Sequence, residues 1–130
     1  MSEQSTGTIR ALIVTDQDAV RAALRYGLPD DIEVSFARDS REALRLLPEI
    51  APSVVVGDLQ TGSAGGYGLT RDMSANARWA RVPVIMLLER EQDQWLARQA
   101  GARVALTKPV AASRIIGAIR AVVEAPPSPA

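Results

Sequence analysis

The stretch Val54-Val55-Val56-Gly57-Asp58-Leu59 reads VVVGDL, and a glycine-rich stretch, TGSAGGYG, follows at 61–68. Three β-branched apolar residues run straight into one carboxylate. A short apolar run of this kind reads as a buried strand, here 53–58. A lone carboxylate at its end is costly unless something pairs with it. Where that partner comes from decides the fold.

Working outward, short apolar runs alternate with helical patterns. IRALIV (9–14) is a strand, followed by Val20, Ala23, Leu24 and Leu28 on one helix face. IEVSFA (32–37) is a second strand. Asp39 and Ser40 can cap the helix REALRLL, and Pro48 stops it or begins its exit. A helix from about Gly66 to Ser74 follows the third strand. VPVIMLL (82–88) is the fourth strand, with Pro83 among its first residues. REQDQWLARQA (90–100) is helical, and Gly101 is its stop. RVALT (103–107) is a short fifth strand, and AASRIIGAIRAVVE (111–124) a last helix with Ile115, Ile116, Ile119, Val122 and Val123 on a broad apolar face. Five βα units with strands apolar on both faces predict an α/β fold: a doubly wound, five-stranded parallel sheet, order 2-1-3-4-5, covered by helices on both sides. Residues 1–8 and the Pro-rich 124–130 are expected to be flexible, leaving one domain over 9–123.

Composition narrows the function. The 130 residues contain 15 basic and 15 acidic side chains, no histidine and no cysteine. Zero net charge offers no electrostatic case for nucleic acid or an anionic membrane surface. Without His or Cys, zinc sites of the usual kind are excluded, and any metal is a hard cation held by oxygen. No apolar run approaches the length of a membrane span, and the N-terminal MSEQSTGTIR is polar and lacks the apolar core of a signal peptide. A cytoplasmic, non-enzymatic protein is expected, since nothing resembles a general-base constellation beyond the acids.

In a parallel sheet, chemistry collects at the carboxyl ends of the strands. Thr15 and Asp16 lie at that end of strand one, Asp58 at that end of strand three, and Lys108, followed by Pro109, just past strand five. These residues should converge. Two carboxylates and an ammonium suit Mg2+, which takes one or two carboxylates plus waters and phosphate oxygens. A carboxylate can also be the nucleophile of phosphoryl transfer, with metal and lysine neutralising the incoming group.

The pattern resembles the receiver domain of two-component response regulators, of the single-domain, chemotaxis-like kind. The resemblance covers about 9–123 and rests on ALIVTD, VVVGDLQTGSAGGYGL, VPVIMLLE and AGARVALTKPV together with the five βα units. It implies that Asp58 accepts a phosphoryl group, that Asp16, Asp58 and the Gln60 carbonyl hold Mg2+, and that Lys108 stabilises the phosphoryl group. It also implies that the Lys108–Pro109 bond is often cis. The partners implied are a histidine kinase or phosphotransfer protein and an output protein of unknown identity; with no output domain following, output is expected through protein contacts.

Several positions depart from the family pattern. Thr15 stands where the family usually has another acid, which should weaken Mg2+ binding. Leu88 stands where a Ser or Thr normally donates to the phosphoryl oxygen. Glu89 replaces a small residue at the pocket rim, adding bulk and negative charge. Ala105 replaces the aromatic residue that reports phosphorylation to the outer face, and Gly62 replaces a proline. Two further functions therefore stand beside a phosphorylated receiver: a degenerate receiver acting as an interaction module without phosphate, and a flavodoxin-like flavin or nucleotide binder. The TDQD loop after strand one speaks against the last, because it would repel phosphate unless metal intervened.

Blander roles exist for each residue. Asp58 could cap a loop, Asp16 could cap the first helix, and Asp18 reads as helix-start charge. Lys108 could be a solvated lysine. The 61–68 loop reads as a connector, since it lacks a P-loop lysine. Trp79 and Trp95 read as packing residues, with Trp95 a candidate interface anchor.

Overall fold

The computed structural model describes residues 8–58 and 65–124. The expectations for residues 1–7 and 125–130, for Gln60, for Gly62 and for the first part of the glycine-rich loop lie outside the described residues. The chain alternates strands β1 (Ile9–Val14), β2 (Ile32–Ala37), β3 (Val54–Asp58), β4 (Val84–Leu88) and β5 (Val104–Thr107) with helices α1 (Asp18–Gly27), α2 (Ser40–Ile50), α3 (Gly65–Ala75), α4 (Gln94–Ala100) and α5 (Ala112–Glu124). All strand pairs are parallel, in the order β2-β1-β3-β4-β5. This is the expected doubly wound sheet.

Because successive side chains on a strand point to opposite faces, the sheet builds two cores. Leu12, Val14, Val55, Met86 and Leu88 point to one face, where Ala43 and Leu47 of α2, Leu69 and Met73 of α3 and Ala97 of α4 meet them. Ile13, Val54, Val56, Ile85 and Leu87 point to the other, against Leu24 of α1 and Ile115, Ile119 and Val122 of α5. Every residue of the neighbouring central strands β3 and β4 is buried, which is why they read as apolar runs, broken in β3 only at its Gly57-Asp58 end.

Helix ends show where local sequence and structure part. Asp39 caps α2 as expected: its carboxylate accepts from Glu42 N–H at 2.8 Å, and Glu42 reaches back to Arg38 N–H at 2.7 Å. Pro48 does not stop this helix. It lies in the last turn, where its missing N–H costs one intrahelical bond, and α2 continues to Ile50 before Ala51 turns left-handed at φ 48°. The first helix is capped by Gln17 without a side-chain bond, not by Asp16. The fourth begins as a 3-10 turn, Glu91–Asp93. Trp79 packs against the core as expected, whereas Trp95 is 67% exposed. No helix among the described residues is long and apolar enough to cross a membrane.

Gly101 closes α4 at φ 114°, with its N–H shared by the Ala97 and Arg98 carbonyls. A Cβ there would run into Ser74 Oγ of α3. Gly101→Ala is expected to lose about 1–2 kcal/mol, the left-handed cost for a residue with a Cβ, plus the displacement of Ser74; a chemical denaturation midpoint unchanged from the parent would refute this.

Candidate functional site

The strand register positions the site. The β1–β3 pairing ends at Val14↔Gly57, so Thr15 and Asp16 emerge beside Asp58. The β3–β4 pairing sets Asp58 against Leu87, so Glu89 leaves β4 on the same edge. Lys108 follows β5, its N–H donating to Leu88 O at 2.8 Å, and the Lys108–Pro109 bond is cis.

Asp58 is 1% exposed. Its partner is the one the sequence pointed to. Lys108 Nζ donates to Asp58 Oδ1 at 2.9 Å and to Oδ2 at 3.0 Å. Thr15 adds a second donor: its hydroxyl, itself fully buried, donates to Asp58 Oδ2 at 3.0 Å and accepts from Gln17 N–H at 3.1 Å. The position that lacks an acid therefore serves the carboxylate as a hydrogen-bond donor, a role that composition alone does not reveal.

Glu89 joins the same ammonium. Its Oε2 accepts from Lys108 Nζ at 2.9 Å. Burial by itself depresses the pKa of Lys108, but its hydrogen bonds to Asp58 and Glu89 outweigh that, and the net direction is upward from 10.5. The sequence carried one unused signal for this centre: among fifteen basic residues Lys108 alone is lysine. Arginine carries every other cationic site, so the compact, rotatable three-donor ammonium occurs only where three carboxylate oxygens converge.

Asp16 is exposed and makes no hydrogen bond or ion pair within the described residues. No group of three or more acidic side chains there could hold a metal. Asp58 and Asp16, at adjoining strand ends, are the two carboxylates of this edge that could hold a hard cation such as Mg2+, which takes one or two carboxylates and keeps several waters.

Leu88 is fully buried and Ala105 is 8% exposed, both in the core facing α2, α3 and α4. Outside Ala105, Glu91, Gln94, Thr107 and Arg114 line a groove of about 500 Å3. Gln94 Nε2 donates to the Ala105 carbonyl at 3.3 Å, and the Thr107 hydroxyl to Glu91 at 3.1 Å. Two polar clamps therefore tie the start of α4 to β5 where an aromatic side chain is absent. A further arrangement that sequence reasoning missed is Arg21, whose guanidinium donates to Thr15 O at 3.1 Å and lies 5.8 Å from the Phe36 ring centre.

A family model described as the response regulator receiver domain matches residues 11–120. The chain belongs to that family. Among curated relatives, the receiver is 32% identical over 94% of its length to a protein-glutamate methylesterase/protein-glutamine glutaminase of Myxococcus xanthus, of which it covers 40%. It is 31% identical over 87% of its length to the response regulator MprA of Mycolicibacterium vanbaalenii, of which it covers 49%. The receiver thus spans about half the length of these relatives or less. Among solved structures, it matches the chemotaxis response regulator CheY4 of Vibrio cholerae with a TM-score of 0.81 at 22% identity, covering 88% of this chain and 98% of that one. It matches the receiver domain of a sensor histidine kinase from Pseudomonas aeruginosa, described with a magnesium ion coordinated in its active site cleft, with a TM-score of 0.76 at 23% identity, over 91% and 99% of the two chains.

Proposed function

We propose that this receiver accepts a phosphoryl group on Asp58 from a histidine kinase or phosphotransfer protein, as one step of a two-component phosphorelay, and hands the signal on through protein contacts. The observation that carries this reading is the buried Asp58 carboxylate, held bidentately by the chain's sole lysine. An Asp58 oxygen attacks phosphorus, and the bond from phosphorus to the donor nitrogen breaks, its electron pair returning to the donor's imidazole. Lys108 balances the charge that arrives, from a position already fixed by the fold. Asp16, Asp58 and, as the resemblance implies, the carbonyl of Gln60 would hold Mg2+, which would supply further neutralisation of the phosphoryl oxygens.

The test is intact mass after incubation with Mg2+ and acetyl phosphate. The parent is expected to gain the mass of one phosphoryl group and Asp58→Asn to gain none. Equal uptake by both would remove Asp58 from the reaction. Mg2+ binding is expected to be weaker than in a receiver with three acids, because Thr15 carries no charge.

A second reading, an interaction module that works without phosphate, draws support from Leu88 and Ala105. A ligand shifts a two-state equilibrium only through its differential affinity for the states. A hydrogen bond to a charged group is worth roughly 1.5–3 kcal/mol, comparable with a typical allosteric coupling of about 1–3 kcal/mol, and buried Leu88 supplies none. Amide NMR of the free protein against its Mg2+–beryllofluoride form is expected to show shifts around Asp16, Asp58 and Lys108 and little change over 91–105 and 113–123. Large shifts along those two segments would show that another switch operates.

A further inference from the structure

The ammonium of Lys108 has three protons, and three carboxylate oxygens take them: two on Asp58 and one on Glu89. A phosphoryl group approaching Asp58 brings new anionic oxygens to the same place, and until the attacking Asp58 oxygen gives up its hydrogen bond in forming the P–O bond, Lys108 has no proton to spare for them. For the ammonium to meet the group as it arrives, one acceptor has to let go. Asp58 is 1% exposed and cannot leave, whereas the Glu89 side chain is 40% exposed and borders water. The same three groups sum to one surplus negative charge at the mouth through which an anionic donor must come.

We infer that Glu89 is a positioning residue that acts through Lys108: it holds the ammonium in the resting site, competes with the incoming phosphoryl group for its third proton, and slows uptake until it swings into solvent. This rests on Asp58 being the phosphoryl acceptor. Glu89 then acts as a brake on free anionic phosphodonors. A donor protein that presents a cation to Glu89 would release it.

Glu89→Gln keeps the shape and removes the charge. With acetyl phosphate and Mg2+ at low salt, Glu89→Gln is expected to take up the phosphoryl group about fivefold faster than the parent, the rate equivalent of an exposed ion pair. The gap should close at high salt, because screening weakens the exposed contact and the surplus charge in the parent; a merely structural substitution has no reason to show that convergence. Glu89→Ala, which also removes the acceptor, should be at least as fast. A second readout is independent of phosphoryl transfer. Lys108 is the only lysine, so trace acylation of its amine, resolved from the chain's α-amine by peptide mass, reports its partners directly. Labelling should rise in both variants. Uptake by all three proteins at one rate, with no difference in salt response, overturns the brake and leaves the phosphoryl-acceptor reading standing. Absence of uptake by all three overturns that reading and the brake with it. Unchanged labelling overturns the contact on which the brake depends.

Discussion

Lys108→Met is expected to lower the free energy of unfolding by about 3 kcal/mol, the lower end of the cost of removing one partner from a buried ion pair. The lysine is the cation that a carboxylate 1% exposed faces at 2.9 and 3.0 Å. Methionine fills similar volume but leaves that charge uncompensated. The lower end applies because Thr15 still donates to Asp58 Oδ2. The converse substitution should behave differently. Asp58→Asn leaves Lys108 with Glu89 and with access to water, its side chain being 17% exposed, so the loss should stay within about 1 kcal/mol, the range of a surface pair. The pKa of Lys108 is raised, so the stabilisation it gives is fully present below the unfolded value of 10.5 and is lost as pH rises through the higher folded value. Denaturant titrations at neutral pH therefore read it whole. Equal effects of the two substitutions would mean that Asp58 is not carried as a buried charge.

The second large effect is expected at Leu88. Leu88→Ala should cost about 3 kcal/mol, within the range for deleting a leucine side chain from a close-packed core. Leu88 is fully buried in the same layer as Met86, Ala97 and Ala105, so truncating it leaves a cavity in a close-packed region. Leu88→Thr keeps more volume but introduces a hydroxyl into an apolar layer, and is expected to cost about 1–3 kcal/mol if that hydroxyl finds no partner. A loss below about 0.5 kcal/mol for both, the size of a surface substitution, would show that position 88 is not a packing position. The consequence for function is direct. The receiver has invested this position in the core, and a hydroxyl that could answer a phosphoryl group comes only at the expense of stability.

Much of this was legible in one dimension. The repeat of short β-branched runs and amphipathic helices determined the five parallel strands, because burial on both faces leaves a strand no polar alternation and burial on one face gives a helix its stripe. Strand ends then determined that Asp58 and Lys108 would meet, since parallel strands deliver their carboxyl ends to one edge. Pro48 marked the exit of α2 and not its last residue, because a proline in a last turn forfeits only one bond while Leu47 gains a full place in the core. What only the tertiary structure decided is which side chains take one another's protons. Thr15 reaches Asp58 across 43 residues and Glu89 reaches Lys108 across 19, whereas Asp16, next to Thr15, stays exposed. Sequence periodicity assigns a residue to an edge; hydrogen bonding between two residues on that edge depends on rotamer and on strand register to within an ångström. Those are properties of the packed sheet, and no local pattern carries them.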